Sequence, residues 1–85
     1  MSSIDQEIFP SARRRMAGTE VFLSERELTF LRLACTEKTY FAIAREMYVS
    51  ERTVDGYRDS LFRKLDVSSR VGLVLYALRN GIVRL

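Results

Sequence analysis

Histidine is missing from these 85 residues, and cysteine occurs once, as Cys35. With no imidazole and a single thiol, neither a metal centre nor a disulfide framework can be assembled, and no nucleophile–base pair can be named. Cys35 falls in the apolar register of a helix with no cation placed beside it by sequence, so it reads as a small core residue rather than a reactive thiol. No apolar run approaches the roughly 18–20 residues of a membrane span, and the N-terminus lacks the apolar core of a signal peptide. We expect a soluble, cytoplasmic protein with no cofactor, no metal and no membrane association. The length excludes a roomy core or a deep catalytic cleft, so an enzyme is not expected, while 47% hydrophobic content with five Phe and four Tyr suffices for one domain.

Charge of neither sign dominates. The net charge is +3, with three Arg against two acids in residues 1–19 and eleven bases against nine acids in residues 20–85. A polyanionic partner suits this balance without being demanded by it.

Residues 1–20 carry Ser2, Ser3, Pro10, Ser11, Gly18 and the run Arg13-Arg14-Arg15, with no sustained periodicity. They read as a flexible arm or linker before a domain spanning 21–85. The Arg run is open to two readings, a phosphate-contacting arm or a solvated flank. The first helix has the clearest start: Ser24 and Glu27 form a capping box, and Leu23 with Leu28 hold the staple positions. Leu28, Phe30, Leu31, Ala34 and Cys35 continue its apolar face.

The stretch 39–65 organises the rest. Ile43, Ala44 and Met47 mark one face of a helix opening after Thr39; Val54, Tyr57, Leu61, Phe62 and Leu65 mark a second helix, Glu51–Leu65. Only Tyr48-Val49-Ser50 lies between them. So short a connection forces a steep crossing, for which Ala44 supplies the small residue, Val49 plugs the corner and Ser50 caps the second helix. This is a helix-turn-helix. Its outward face carries Arg52, Asp55, Gly56, Asp59 and Arg63.

The last helix runs from about Ser69 to Asn80, with Gly81 as its left-handed end and Ile82 folding back. Val71, Leu73, Val74, Leu75, Tyr76, Ala77 and Leu78 make it apolar nearly all round. Such a helix needs burial on more than one side, either deep within the monomer or against a second subunit. We expect the second, with Val71, Val74, Leu75, Tyr76 and Leu78 forming a homodimer interface.

With these residues assembled, the region 23–83, nearly three quarters of the chain, resembles the LuxR/GerE-type DNA-binding domain, an all-α, four-helix helix-turn-helix module. Leu23-Ser24-Glu25-Arg26-Glu27 is similar to that family's Leu-Thr-x-Arg-Glu, and Ile43-Ala44 to its Glu-Ile-Ala. Val49-Ser50-Glu51-Arg52-Thr53-Val54 matches Ile-Ser-x-x-Thr-Val, and Arg63-Lys64-Leu65, Val67 and Ser69-Arg70 match Arg-Lys-Leu-Gly-Val-x-Ser-Arg. The series occurs in order at the family's spacing. The resemblance leans toward the response-regulator branch, whose output domains are joined by a linker to a phosphorylatable receiver domain. An excised output domain and a free-standing small regulator are both open. Three features depart from the pattern: the acids and glycine at Asp55, Gly56 and Asp59, Glu37 where glycine often ends the first helix, and Asp66 where glycine usually follows the third. We expect slight strain at the turn around Glu37.

The resemblance implies a regulator that binds double-stranded DNA as a dimer, with the helix Glu51–Leu65 in the major groove. Asp55, Gly56 and Asp59 would face bases, a carboxylate accepting from cytosine N4 and the glycine allowing close approach. Phosphate contacts would come from Lys38, Tyr40, Thr53, Tyr57, Arg58, Arg63, Lys64 and Arg70. Two plainer readings stand beside these: Tyr57 as half core, and Asp59 with Arg63 as a surface ion pair. The rival function is a protein-interaction module whose acidic helix face contacts RNA polymerase or a partner regulator.

Overall fold

The computed structural model describes residues 21–85 and the backbone of residues 13–15. Among the described residues, four helices follow a short strand pair: β1 (Arg13–Arg15), β2 (Phe22–Ser24), α1 (Glu25–Ala34), α2 (Tyr40–Met47), α3 (Glu51–Leu65) and α4 (Arg70–Arg79). The all-α helix-turn-helix expected from sequence is what forms. The strand pair was not foreseen. β1 lies antiparallel to β2, with Arg14 opposite Leu23, so backbone pairing supplies an order that side-chain patterning does not announce. The rest of the expected arm, residues 1–12 and 16–20, and the side chains of the Arg run lie outside the described residues.

Each helix starts on a hydroxyl. Ser24, Thr39, Ser50 and Ser69 accept from the amides of Glu27, Ala42, Thr53 and Gly72, which satisfies one of the free donors that open every helix. At Ser24 the capping box is complete, because the Ser24 amide also donates to Glu27 Oε1 at 2.9 Å.

The helix ends differ more. Beyond α1 the Thr36 hydroxyl donates to the Leu33 carbonyl at 2.6 Å and accepts from the Lys38 amide at 3.1 Å. Glu37 keeps an ordinary negative φ, so the strain expected at this turn is absent. Strain sits instead at Tyr48 (φ 61°) and Asp66 (φ 56°), the left-handed residues that close α2 and α3. Gly81 takes the same conformation after α4, and the Ile82 amide turns back to the Ala77 carbonyl at 2.8 Å.

Leu23, Phe30, Leu31, Ile43, Val54, Leu61 and Leu73 are fully buried and form the centre of the core. Each such side chain contributes about 1.5–3 kcal/mol relative to an exposed one. α1 packs against all three other helices, and α3 lies across both α2 and α4. Ala44, 2% exposed, occupies the crossing as its size requires, and the Val49 amide donates to the Ala44 carbonyl at 3.0 Å. The consequence for function is geometric: α3 is held on one side by Val54, Leu61 and Leu65, and its opposite side is left to solvent.

Candidate nucleic-acid interface

The exposed side of α3 carries Glu51, Arg52, Thr53, Asp55, Gly56, Asp59, Arg63 and Lys64. A β-carbon built on Gly56 meets nothing within 4 Å. No packing within the domain therefore calls for glycine there, although glycine inside a helix costs about 1 kcal/mol relative to alanine.

The cations near this face divide sharply. The side chains of Arg52 and Arg63 are exposed and have no ion-pair or hydrogen-bond partner among the described residues. Lys64, by contrast, donates to both oxygens of Glu27, at 2.8 and 3.1 Å, and reaches the Phe22 carbonyl at 3.4 Å. Glu27 is buried and also accepts from the Ser60 hydroxyl at 2.6 Å. Burial alone would raise its pKa; the hydrogen bonds from Lys64, Ser60 and the Ser24 amide, together with the Lys64 charge, outweigh that and leave it below the ordinary value.

Arg70 is likewise engaged inside the domain. Its guanidinium donates to the carbonyls of Ala34 (2.9 Å), Thr36 (2.9 Å) and Lys38 (2.6 Å), closing the end of α1. It also brings positive charge toward Cys35, a partner that sequence order conceals, yet burial prevails and the thiol is pushed up. Cys35 is half-buried against the core and stays unactivated.

Tyr40, at the start of α2, lies beside Phe30 with ring centroids 6.0 Å apart, and receives two guanidiniums, Arg70 at 5.0 Å and Arg58 at 5.6 Å from its ring centre. Arg58 in turn pairs with Asp55 at 3.2 Å and Asp59 at 3.0 Å. Asp59 thus takes Arg58 rather than Arg63 as its partner. Tyr57 is half-buried, its ring 6.2 Å from Phe30 and its hydroxyl accepting from Arg26 at 3.4 Å. Arg26 also donates to the Met47 carbonyl at 3.0 Å, closing α2. Lys38 pairs with Glu46 at 3.3 Å, both side chains well exposed. Thr53 shares a hydrogen bond with the Ser50 hydroxyl at 3.1 Å.

Of the eight cationic, hydroxyl and aromatic residues expected at phosphates, the structure leaves Arg63 and Thr53 on the open face of α3, pairs the exposed Lys38 with Glu46, sets the Tyr40 ring under two guanidiniums, and engages Tyr57, Arg58, Lys64 and Arg70 within the domain. Arg52 was not among them. Its position three residues before Asp55 on the same helix face was the signal available in sequence.

On α4, Leu73 and Ala77 face the core, while Val71 is 66% and Leu75 44% exposed, with Val74 and Leu78 partly so. Tyr76 differs from these. It packs against the core, and its hydroxyl is buried with no partner. No helix among the described residues is long and apolar enough to cross a membrane.

The family described as bacterial regulatory proteins, luxR family, matches residues 21–77. The transcription regulator BvgA of Bordetella pertussis is 40% identical over 60 residues, which cover 71% of this chain and 29% of BvgA. The transcriptional regulatory protein LiaR of Bacillus subtilis is 38% identical over 61 residues, 72% of this chain and 29% of LiaR. The response regulator GacA of Pseudomonas viridiflava is 38% identical over 61 residues, 72% of this chain and 28% of GacA. The chain thus spans less than a third of the length of each. On the sequence match and the helix-turn-helix geometry together, the chain belongs to the luxR family of bacterial regulatory proteins.

Proposed function

We propose that this chain binds duplex DNA sequence-specifically in the cytoplasm, as a dimer with α3 in the major groove. It serves as the output domain of a two-component response regulator or as a free-standing small regulator. The observation that carries the reading is the open face of α3, where Arg52, Asp55, Gly56, Asp59 and Arg63 have no role in the core while the opposite face is fully packed. Asp55, Gly56 and Asp59 face bases, the carboxylates accepting from cytosine N4 and Gly56 admitting a thymine methyl or backbone. Arg52, Thr53 and Arg63 meet phosphates, joined by Lys38 and Tyr40 at the start of α2. Lys64 and Arg70 stand outside this set, since their donors already serve Glu27 and the carbonyls after α1.

The dimer forms through the outward side of α4, where Val71, Val74, Leu75 and Leu78 make an apolar strip beside the inward-facing Leu73 and Ala77. Two half-sites one helical turn apart would then be read by two copies of α3.

Selection of bound duplexes from random DNA at fixed salt tests the reading. A two-half-site consensus, bound with an affinity that falls steeply as salt rises, is the expected result. Recovery of no consensus, with binding to RNA polymerase or a partner regulator in its place, would overturn it.

A further inference from the structure

We infer that Arg58 is a positioning residue that orients the carboxylates of Asp55 and Asp59 for reading bases; the inference rests on the proposed role of those acids. Arg58 donates from Nη1 to Asp55 Oδ1 at 3.2 Å, and from Nε to Asp59 Oδ1 at 3.1 Å, with Nη2 at 3.0 Å from that same oxygen. Each carboxylate therefore gives one oxygen to the guanidinium and keeps Oδ2 without a partner among the described residues. A carboxylate pinned by one oxygen has its rotamer and plane restricted, and the second oxygen becomes an acceptor already in place when a cytosine amine arrives.

The guanidinium is itself anchored. Arg58 is only 27% exposed at its side chain and lies over the ring of Tyr40, which abuts Phe30 in the core. Arg70, held by three carbonyls, covers the same ring. The line from core to reading face thus runs Phe30, Tyr40, Arg58, then the two acids.

The charges require such an arrangement. Asp55 and Asp59 are four residues apart on one helix and repel each other, and together they face a polyanion. A shared cation relieves the first effect and brings the group's formal charge from −2 to −1, softening the second. A planar fork with donors on two edges holds both carboxylates in one fixed geometry; a lysine ammonium supplies the charge and three rotatable donors without fixing that plane.

The test uses the 85-residue chain and a panel of duplexes, the selected site and its single-base variants, at one fixed salt concentration. Asp55→Asn and Asp59→Asn identify the base pairs that the acids discriminate. Arg58→Ala and Arg58→Lys are then expected each to lower discrimination at those same base pairs about fivefold or more. Arg58→Lys keeps affinity for random duplex within about twofold of the parent, since the charge is retained. Far-UV circular dichroism establishes that each variant is folded, and the lysine variant carries the test if the alanine one is not. Uniform weakening on every duplex by Arg58→Ala, restored by Arg58→Lys, would make Arg58 a phosphate ligand and overturn the inference. An unchanged panel for both Arg58 variants, with the Asp variants altering it, would overturn the positioning role alone. A panel unaffected by either Asp variant would overturn the base-reading role as well.

Discussion

Lys64 Nζ lies 2.8 Å from Oε1 of Glu27, 37 residues away in sequence, and joins the C-terminal half of α3 to the first turn of α1. The pair makes Lys64 a structural cation even though it stands on the exposed side of the helix proposed to enter the groove.

Acid stability should report this pair. The folded pKa of Glu27 lies below its ordinary value of 4.5, so its contribution is fully present above pH 4.5 and is lost as pH falls through the lower folded value. Urea titrations across that range should show a steeper loss for the parent than for Glu27→Gln. Lys64→Ala should cost about 1–3 kcal/mol at neutral pH, because Glu27 stays buried with fewer partners. Equal acid limbs in parent and Glu27→Gln would refute this.

Arg63 and Arg70 should separate cleanly. Arg63→Ala changes stability by less than about 0.5 kcal/mol, weakens all duplexes alike, and flattens the dependence of log K on log salt by about one unit. Arg70→Ala instead lowers stability by about 1.5–3 kcal/mol, the value of hydrogen bonds from a charged donor. Denaturant midpoints and salt-dependent anisotropy titrations check the two, and a reversal of the two behaviours would contradict the assignment.

The left-handed turns are open to relief. Tyr48 is 94% exposed and buries almost nothing, so Tyr48→Gly should stabilise by about 1 kcal/mol. Asp66→Gly should gain less, because a short polar side chain tolerates that backbone better. Thermal midpoints in that order are the expected outcome.

Gly56→Ala makes a paired test of the reading face. The added methyl meets nothing within the domain, so stability should rise by about 1 kcal/mol. Affinity for the selected duplex should fall at the same time if that open space belongs to DNA. A rise in stability with unchanged binding would remove Gly56 from the interface.

Two neighbours on α4 should behave oppositely. Leu75→Glu, on the exposed strip, should leave helical content and melting nearly intact while removing dimers from the DNA complex. Tyr76→Glu should unfold the domain instead, since it puts a carboxylate where the tyrosine now packs against the core with its hydroxyl buried. Circular dichroism and sedimentation on a two-half-site duplex distinguish the outcomes.

Local chemistry was legible from the chain alone. A capping hydroxyl acts three residues ahead, apolar spacing repeats within two turns, and a three-residue turn admits few crossings, so Ser24 with Glu27, the stripe from Val54 to Leu65 and the small Ala44 each announced their place. Helix phase likewise put Asp55, Gly56 and Asp59 on one outward face. What tertiary structure decided was which cations remain free. Lys64, Arg63 and Arg70 look alike in sequence, yet Glu27 and the carbonyls of Ala34, Thr36 and Lys38, more than 30 residues distant, claim two of them. Long, flexible side chains reach partners that only the packing of helices brings near, and periodicity within one helix carries no record of that reach. The same holds for Tyr76, where only the packing of α4 on the core determines that its hydroxyl turns inward while Leu75 beside it stays exposed.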